Sequence, residues 1–94
     1  MWEENKIVSD RFRIVKEVSH EDSFFVYRAW DMELERFVAI KTMFLKSELS
    51  AESKFKQIQN FVRQMKLEAS LYGIEIYHSG RDGENPYVIL KTYK

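Results

Sequence analysis

The chain has 94 residues and a mass of 11.3 kDa, room for one core that buries roughly two-thirds of the unfolded chain's surface and no room for a second domain. Its 45% hydrophobic and 32% charged residues, with one proline and three glycines, are globular in composition, and fifteen Lys and Arg balance fifteen Asp and Glu, so neither nucleic acid nor an anionic membrane is expected as a partner. The absence of cysteine excludes disulfides, thiolate zinc sites and thiol nucleophiles, and with His20 and His78 the only histidines no metal site is expected.

Residues 1–11 open with Met-Trp-Glu-Glu-Asn-Lys, without the basic and then apolar regions of a signal peptide, and are read as an N-terminal extension. No apolar run approaches the roughly 20 residues of a membrane span, so a cytoplasmic chain is expected. Residues 12–18 (FRIVKEV) alternate apolar and polar and predict a strand, although Val15 breaks the alternation. The polar run 19–23 is a turn, and the aromatic and β-branched run 24–30 (FFVYRAW) completes a hairpin. After a second turn at 31–35, residues 36–43 (RFVAIKTM) form a third strand with Phe37, Ala39, Lys41 and Met43 on one face and Val38, Ile40 and Thr42 on the other.

From 50 to 72 the period changes. Phe55, Ile58, Phe61, Val62, Met65, Ala69 and Tyr72 recur at three- and four-residue spacing, an amphipathic helix that Ser50 can cap at its start and Gly73 at its end. Residues 74–79 alternate again, 80–84 (GRDGE) form a turn, and 86–93 (PYVILKTY) are an apolar, strand-forming run. No repeat or linker divides the chain, so residues 1–94 are one unit. The expected class is α+β: a five-stranded, largely antiparallel sheet packed on one long helix.

The run Val26-Tyr27-Arg28-Ala29-Trp30-Asp31, followed by Val38-Ala39-Ile40-Lys41, the single helix and Pro86-Tyr87-Val88-Ile89-Leu90, resembles the N-terminal small lobe of the eukaryotic-type serine/threonine protein kinases. The resemblance covers about 10–93, and V-A-I-K is a signature of that family, in which its lysine pairs ATP phosphates and a helix glutamate. It implies that Val26, Ala39, Lys41 and Leu90 surround an adenine nucleotide, with Lys91, Thr92 and Tyr93 as the hinge and Thr92 among the binding residues. The plainer reading of Lys41 is a strand-end lysine with its head in water.

The departures from the family pattern matter equally. Ser19, Glu21 and Phe24 stand where the three glycines of G-x-G-x-x-G-x-V belong. Glycine there lets backbone approach phosphates closely, whereas Glu21 and Asp22 repel them. ATP is therefore expected to bind weakly, and the plainer reading of the loop is a solvated turn. The alignment favours Gln64 at the position of the helix glutamate, with Glu68, one turn on, as the alternative partner for Lys41; both also suit solvent-facing helix positions.

Nothing in the chain resembles the H-R-D-x-x-x-x-N or D-F-G segments that supply the base and metal ligands, so it is not expected to transfer phosphate by itself and no metal ligand is assigned. Two functions follow: the degenerate nucleotide-binding half of a serine/threonine kinase-like protein, or a non-catalytic, pseudokinase-type protein-interaction module. Either way, a protein partner, a second kinase lobe or self-association is expected to cover the hinge-side surface. A third reading, an unrelated α+β domain with a chance V-A-I-K, requires that the element order fail.

Overall fold

The computed structural model describes residues 1–92. In chain order the elements are β1 (Ile7–Val8), β2 (Phe12–Glu21), β3 (Phe24–Asp31), β4 (Arg36–Met43), α1 (Ala51–Tyr72), β5 (Ile76–Asp82) and β6 (Asn85–Lys91). Every neighbouring pair is antiparallel, in the order β1-β2-β3-β4-β6-β5. The α+β class and the single long helix match the expectation from sequence, but the sheet has six strands, not five. The additional strand, β1, pairs Ile7 with Arg13 and Val8 with Phe12, and two residues are too few to display a period.

The last hairpin is also tighter than its sequence suggests. Residues 80–82 belong to β5, with Gly80 opposite Tyr87 and Asp82 opposite Asn85, which leaves Gly83 and Glu84 as the turn. Gly80 serves close approach here: a Cβ at this position would lie 2.8 Å from the Tyr87 hydroxyl. The helix begins and ends as expected. The Ser50 hydroxyl accepts from the Ser53 N–H, and Gly73 takes a left-handed conformation at φ 66° that glycine adopts without a steric cost.

Alternation along β3, β4 and β6 divides the apolar residues between two cores. Phe12 and Ile14 of β2, Phe25, Tyr27 and Ala29 of β3, Val38 and Ile40 of β4 and Tyr87 and Ile89 of β6 fill the inner side of the curved sheet. On the other side Met43 and Val88 meet Phe61 and Met65 of α1, flanked by Phe24, Leu45, Val62 and Leu90. The helix thus seals only one face of the sheet.

The inner core is completed by residues 1–11, the segment read from sequence as an extension. Trp2 and Val8 are buried in it. The Trp2 ring lies 5.2 Å from Tyr27, 5.6 Å edge-on from Phe44 and 6.4 Å from Tyr87, centroid to centroid. Its indole N–H donates to Asp82 at 3.2 Å, its backbone N–H donates to the Tyr27 hydroxyl, and Lys6 pairs with Asp82 at 3.5 Å. Asp82 ends β5 and Trp2 leads into β1, so these contacts tie the two edges of the sheet together. The start of the chain is therefore structural.

The β3–β4 turn is held by Asp31, which is fully buried. Arg11 grips it with two hydrogen bonds of 2.8 and 2.9 Å, the Glu33 and Leu34 N–H groups donate to it, and Arg36 approaches to 3.6 Å while lying 3.8 Å from the Tyr77 ring centroid. The Arg11 hydrogen bond, opposed by burial and helped by the two backbone donors and the Arg11 charge, lowers the Asp31 carboxyl from 3.8 to about 2. A carboxyl whose folded value is depressed adds stability above its unfolded value, and that stability is lost as pH falls through the folded one. The shift corresponds to about 2 kcal/mol.

Asp31→Asn is expected to lower stability at neutral pH by about 2 kcal/mol and to flatten the loss of stability between about pH 4 and pH 2, measured by thermal melts across that range. Trp2→Ala should cost about 3 kcal/mol in denaturant unfolding, whereas an extension free of the core would show no change.

Candidate functional site

The face of the sheet turned toward α1 carries the candidate residues, and the register explains why. Val26 lies opposite Lys41 across β3 and β4, Val88 lies opposite Lys41 across β4 and β6, and Leu90 lies opposite Ala39. Paired residues point to the same face, so Val26, Ala39, Lys41 and Leu90 share one surface. Arg28, opposite Ala39, shares it too, its guanidinium 4.1 Å from the Phe37 ring centroid.

The Lys41 ammonium donates to Glu68 Oε1 at 3.1 Å. Its partner is thus Glu68, where alignment of the sequence favoured Gln64. Gln64, one turn earlier and exposed, donates instead to Glu68 Oε2 at 3.1 Å. Gln64 therefore orients the carboxylate that holds the lysine. Burial alone would raise the Glu68 carboxyl, but the Gln64 and Lys41 hydrogen bonds and the Lys41 charge outweigh it and leave it below its ordinary value. The Lys41 and Glu68 side chains remain 21% and 34% exposed, so solvent screens the pair and limits its worth to about 1 kcal/mol.

Two adjoining cavities meet at this ion pair. One, of about 250 Å³, is bounded by Ser19, Glu21 and Asp22, by Phe24 and Val26, and by Lys41, Gln64 and Glu68. The other, of about 190 Å³, is more apolar: Val26, Met65, Ala69, Ile74 and Leu90 form its walls around Lys41 and Glu68. Ala39 sits on the same face but lines neither cavity. Thr92 follows β6, half-buried, and lines neither; Tyr93, the last of the expected hinge residues, lies outside the described residues.

The segment aligned with the glycine loop is a regular hairpin. Strand pairing continues through Ser19 with Val26, His20 with Phe25 and Glu21 with Phe24, and Asp22 turns the chain at φ 52°. Alternation sends Ser19 and Glu21 to the cavity and His20 away from it, onto the Phe25 ring at 3.8 Å. Phe24 stacks on Phe61 of α1 at 5.9 Å and places its ring centroid 5.4 Å from the Lys41 ammonium. The lysine thus has a carboxylate and an aromatic face as neighbours. In sequence Phe24 reads as a strand residue standing where the pattern has a glycine; its contact with the ammonium follows from its packing on the helix. Among the described residues, no cluster of three or more Asp, Glu or His side chains is arranged to hold a metal ion.

No family model matches the chain. It is 23% identical over 95 residues to serine/threonine-protein kinase PknL of Mycobacterium tuberculosis, an alignment covering 94% of this chain and 22% of that kinase. It is 30% identical over 92 residues to a probable serine/threonine-protein kinase of Clostridium acetobutylicum, covering 90% of this chain and 13% of the relative. Among solved structures, PpkA-294 in its apo form superposes with a TM-score of 0.78 at 20% identity, covering all of this chain and 39% of that one. The chain thus spans less than a quarter of the length of these curated relatives. It has the fold of a kinase small lobe.

Replacing Lys41 with Met should raise the titration midpoint of the Glu68 carboxyl toward its ordinary value, read by carbon-detected NMR. Gln64→Ala should raise it as well, because both side chains lower it by donating hydrogen bonds.

Proposed function

For a chain related over nearly its whole length to serine/threonine-protein kinases and folded as their smaller lobe, we propose a role as the degenerate nucleotide-binding half of a kinase-like protein. The observation that carries this reading is the Lys41–Glu68 pair at 3.1 Å, on the sheet face that also presents Val26, Ala39 and Leu90. A lysine fixed by a helix carboxylate is aimed, which a cation receiving an anionic group requires. The apolar side chains next to it offer a slot for a flat ring. Thr92 is the proposed hinge contact, and no step of phosphate transfer is assigned to this chain.

A second reading, a non-catalytic interaction module, draws on Glu21, Asp22 and Phe24 in the hairpin and on the exposed Leu67, Leu71 and Tyr72 of α1. There the helix would meet a partner protein or a second copy of the chain.

Calorimetric titration with adenine nucleotides from AMP to ATP, with and without magnesium, is expected to show saturable binding that Lys41→Ala weakens at least about tenfold. Absence of heat and of any thermal shift at millimolar concentration of every nucleotide overturns the reading in favour of the interaction module.

A further inference from the structure

The cleft divides into an acidic half and an apolar half, and the division bears on the kind of nucleotide it accepts. On the hairpin side, Glu21, Asp22 and Glu68 set three carboxylates against the single ammonium of Lys41. That ammonium is already engaged, 3.1 Å from Glu68 and 5.4 Å from the Phe24 ring centroid. Its hydrogen bond to Glu68 leaves N–H groups for a phosphate oxygen, but it would meet the phosphates as one cation among three carboxylates. Phe24 lines this half as well, its ring stacked on the buried Phe61 at 5.9 Å.

On the other side, Val26, Met65, Ala69, Ile74 and Leu90 form a wall whose charged neighbours are the paired Lys41 and Glu68, away from Glu21 and Asp22. A triphosphate entering with its base toward this half would lay its negative charges along Glu21 and Asp22, where like charges repel at close range. A nucleoside brings the same flat ring and ribose without that repulsion. Its hydroxyls could accept from Lys41 or donate to Glu68 without breaking the ion pair.

We propose that this site takes an adenine nucleoside with few or no phosphates, and that Glu21 and Asp22 are the specificity-determining residues that disfavour the triphosphate. The proposal rests on the nucleotide-binding reading above and narrows it to a ligand class. The selectivity is electrostatic, carried by Glu21 and Asp22, both exposed, beside the Phe24 ring. It therefore weakens as salt screens the exposed charges.

The test is titration of the 94-residue chain with adenosine, AMP, ADP and ATP in magnesium-free buffer at low and high salt, for wild type and for the Glu21→Gln, Asp22→Asn double variant. Adenosine is expected to bind at least as tightly as ATP in the wild type. The double variant should move the ATP-to-adenosine affinity ratio about tenfold toward ATP, and high salt should move it the same way. Both substitutions fall on exposed turn positions, and a thermal melt confirms that the variant folds. ATP binding about tenfold or more tightly than adenosine to the wild type overturns the selectivity and leaves nucleotide binding standing. An unchanged ratio in the double variant overturns the proposal that Glu21 and Asp22 set the selectivity. Failure of all four ligands to bind overturns both readings together.

Discussion

Strand β4 has to satisfy two environments at once, and the rest of the molecule is arranged around that demand. Val38, Ile40 and Thr42 enter the inner core, while Ala39, Lys41 and Met43 face the helix side. A strand covered on both faces cannot slip by one residue without driving Lys41 into an apolar interior and Ile40 toward the cleft. The register that buries the core is therefore the register that delivers the ammonium to the site. Thr42, buried among apolar neighbours, stays solvated by protein through its hydrogen bond to the Pro86 carbonyl at 2.8 Å.

The helix is the other half of that arrangement. Phe61 and Met65 are its buried residues, and they set its axial position against Met43 and Val88. That position decides which helical turn faces Lys41, and hence that Glu68 receives the ammonium. The ion pair itself is partly solvated and worth little beside the apolar contacts. Packing therefore places the charges, and the charges only refine the placement.

The sequence displays β2, β3, β4 and α1 because each is long enough to show a period and has a cap or turn at its ends. Where it misleads, the cause is information carried by distant residues. Gln64 and Glu68 occupy the same helix face one turn apart, so spacing alone cannot rank them; only the seating of Phe61 and Met65 does. Gly80 and Arg81 look like turn residues but pair with Tyr87 and Pro86, because the Tyr87 ring needs the space that a glycine leaves. Trp2, in a run otherwise polar, gives no pattern at all, and its burial depends on Tyr27, Phe44, Asp82 and Tyr87 together. The shared face of Val26, Ala39, Lys41 and Leu90 was legible, since pleating and family likeness agreed there. The acidic character of the cleft mouth was half legible: the residues were visible, but the engagement of Lys41 by Phe24 was not.

The hydrogen bond between Trp2 and Asp82 spans 80 positions of chain, and this has a consequence for the order in which the molecule assembles. During synthesis the second residue emerges long before its acceptor exists. The early hairpins of β2, β3 and β4, built from local pairings, can form while Trp2 still lacks its place, since short loops close at lower entropic cost than long ones. Trp2 thus settles later than the local hairpins, and the inner core stays open at one side until β5 and β6 arrive to shut it.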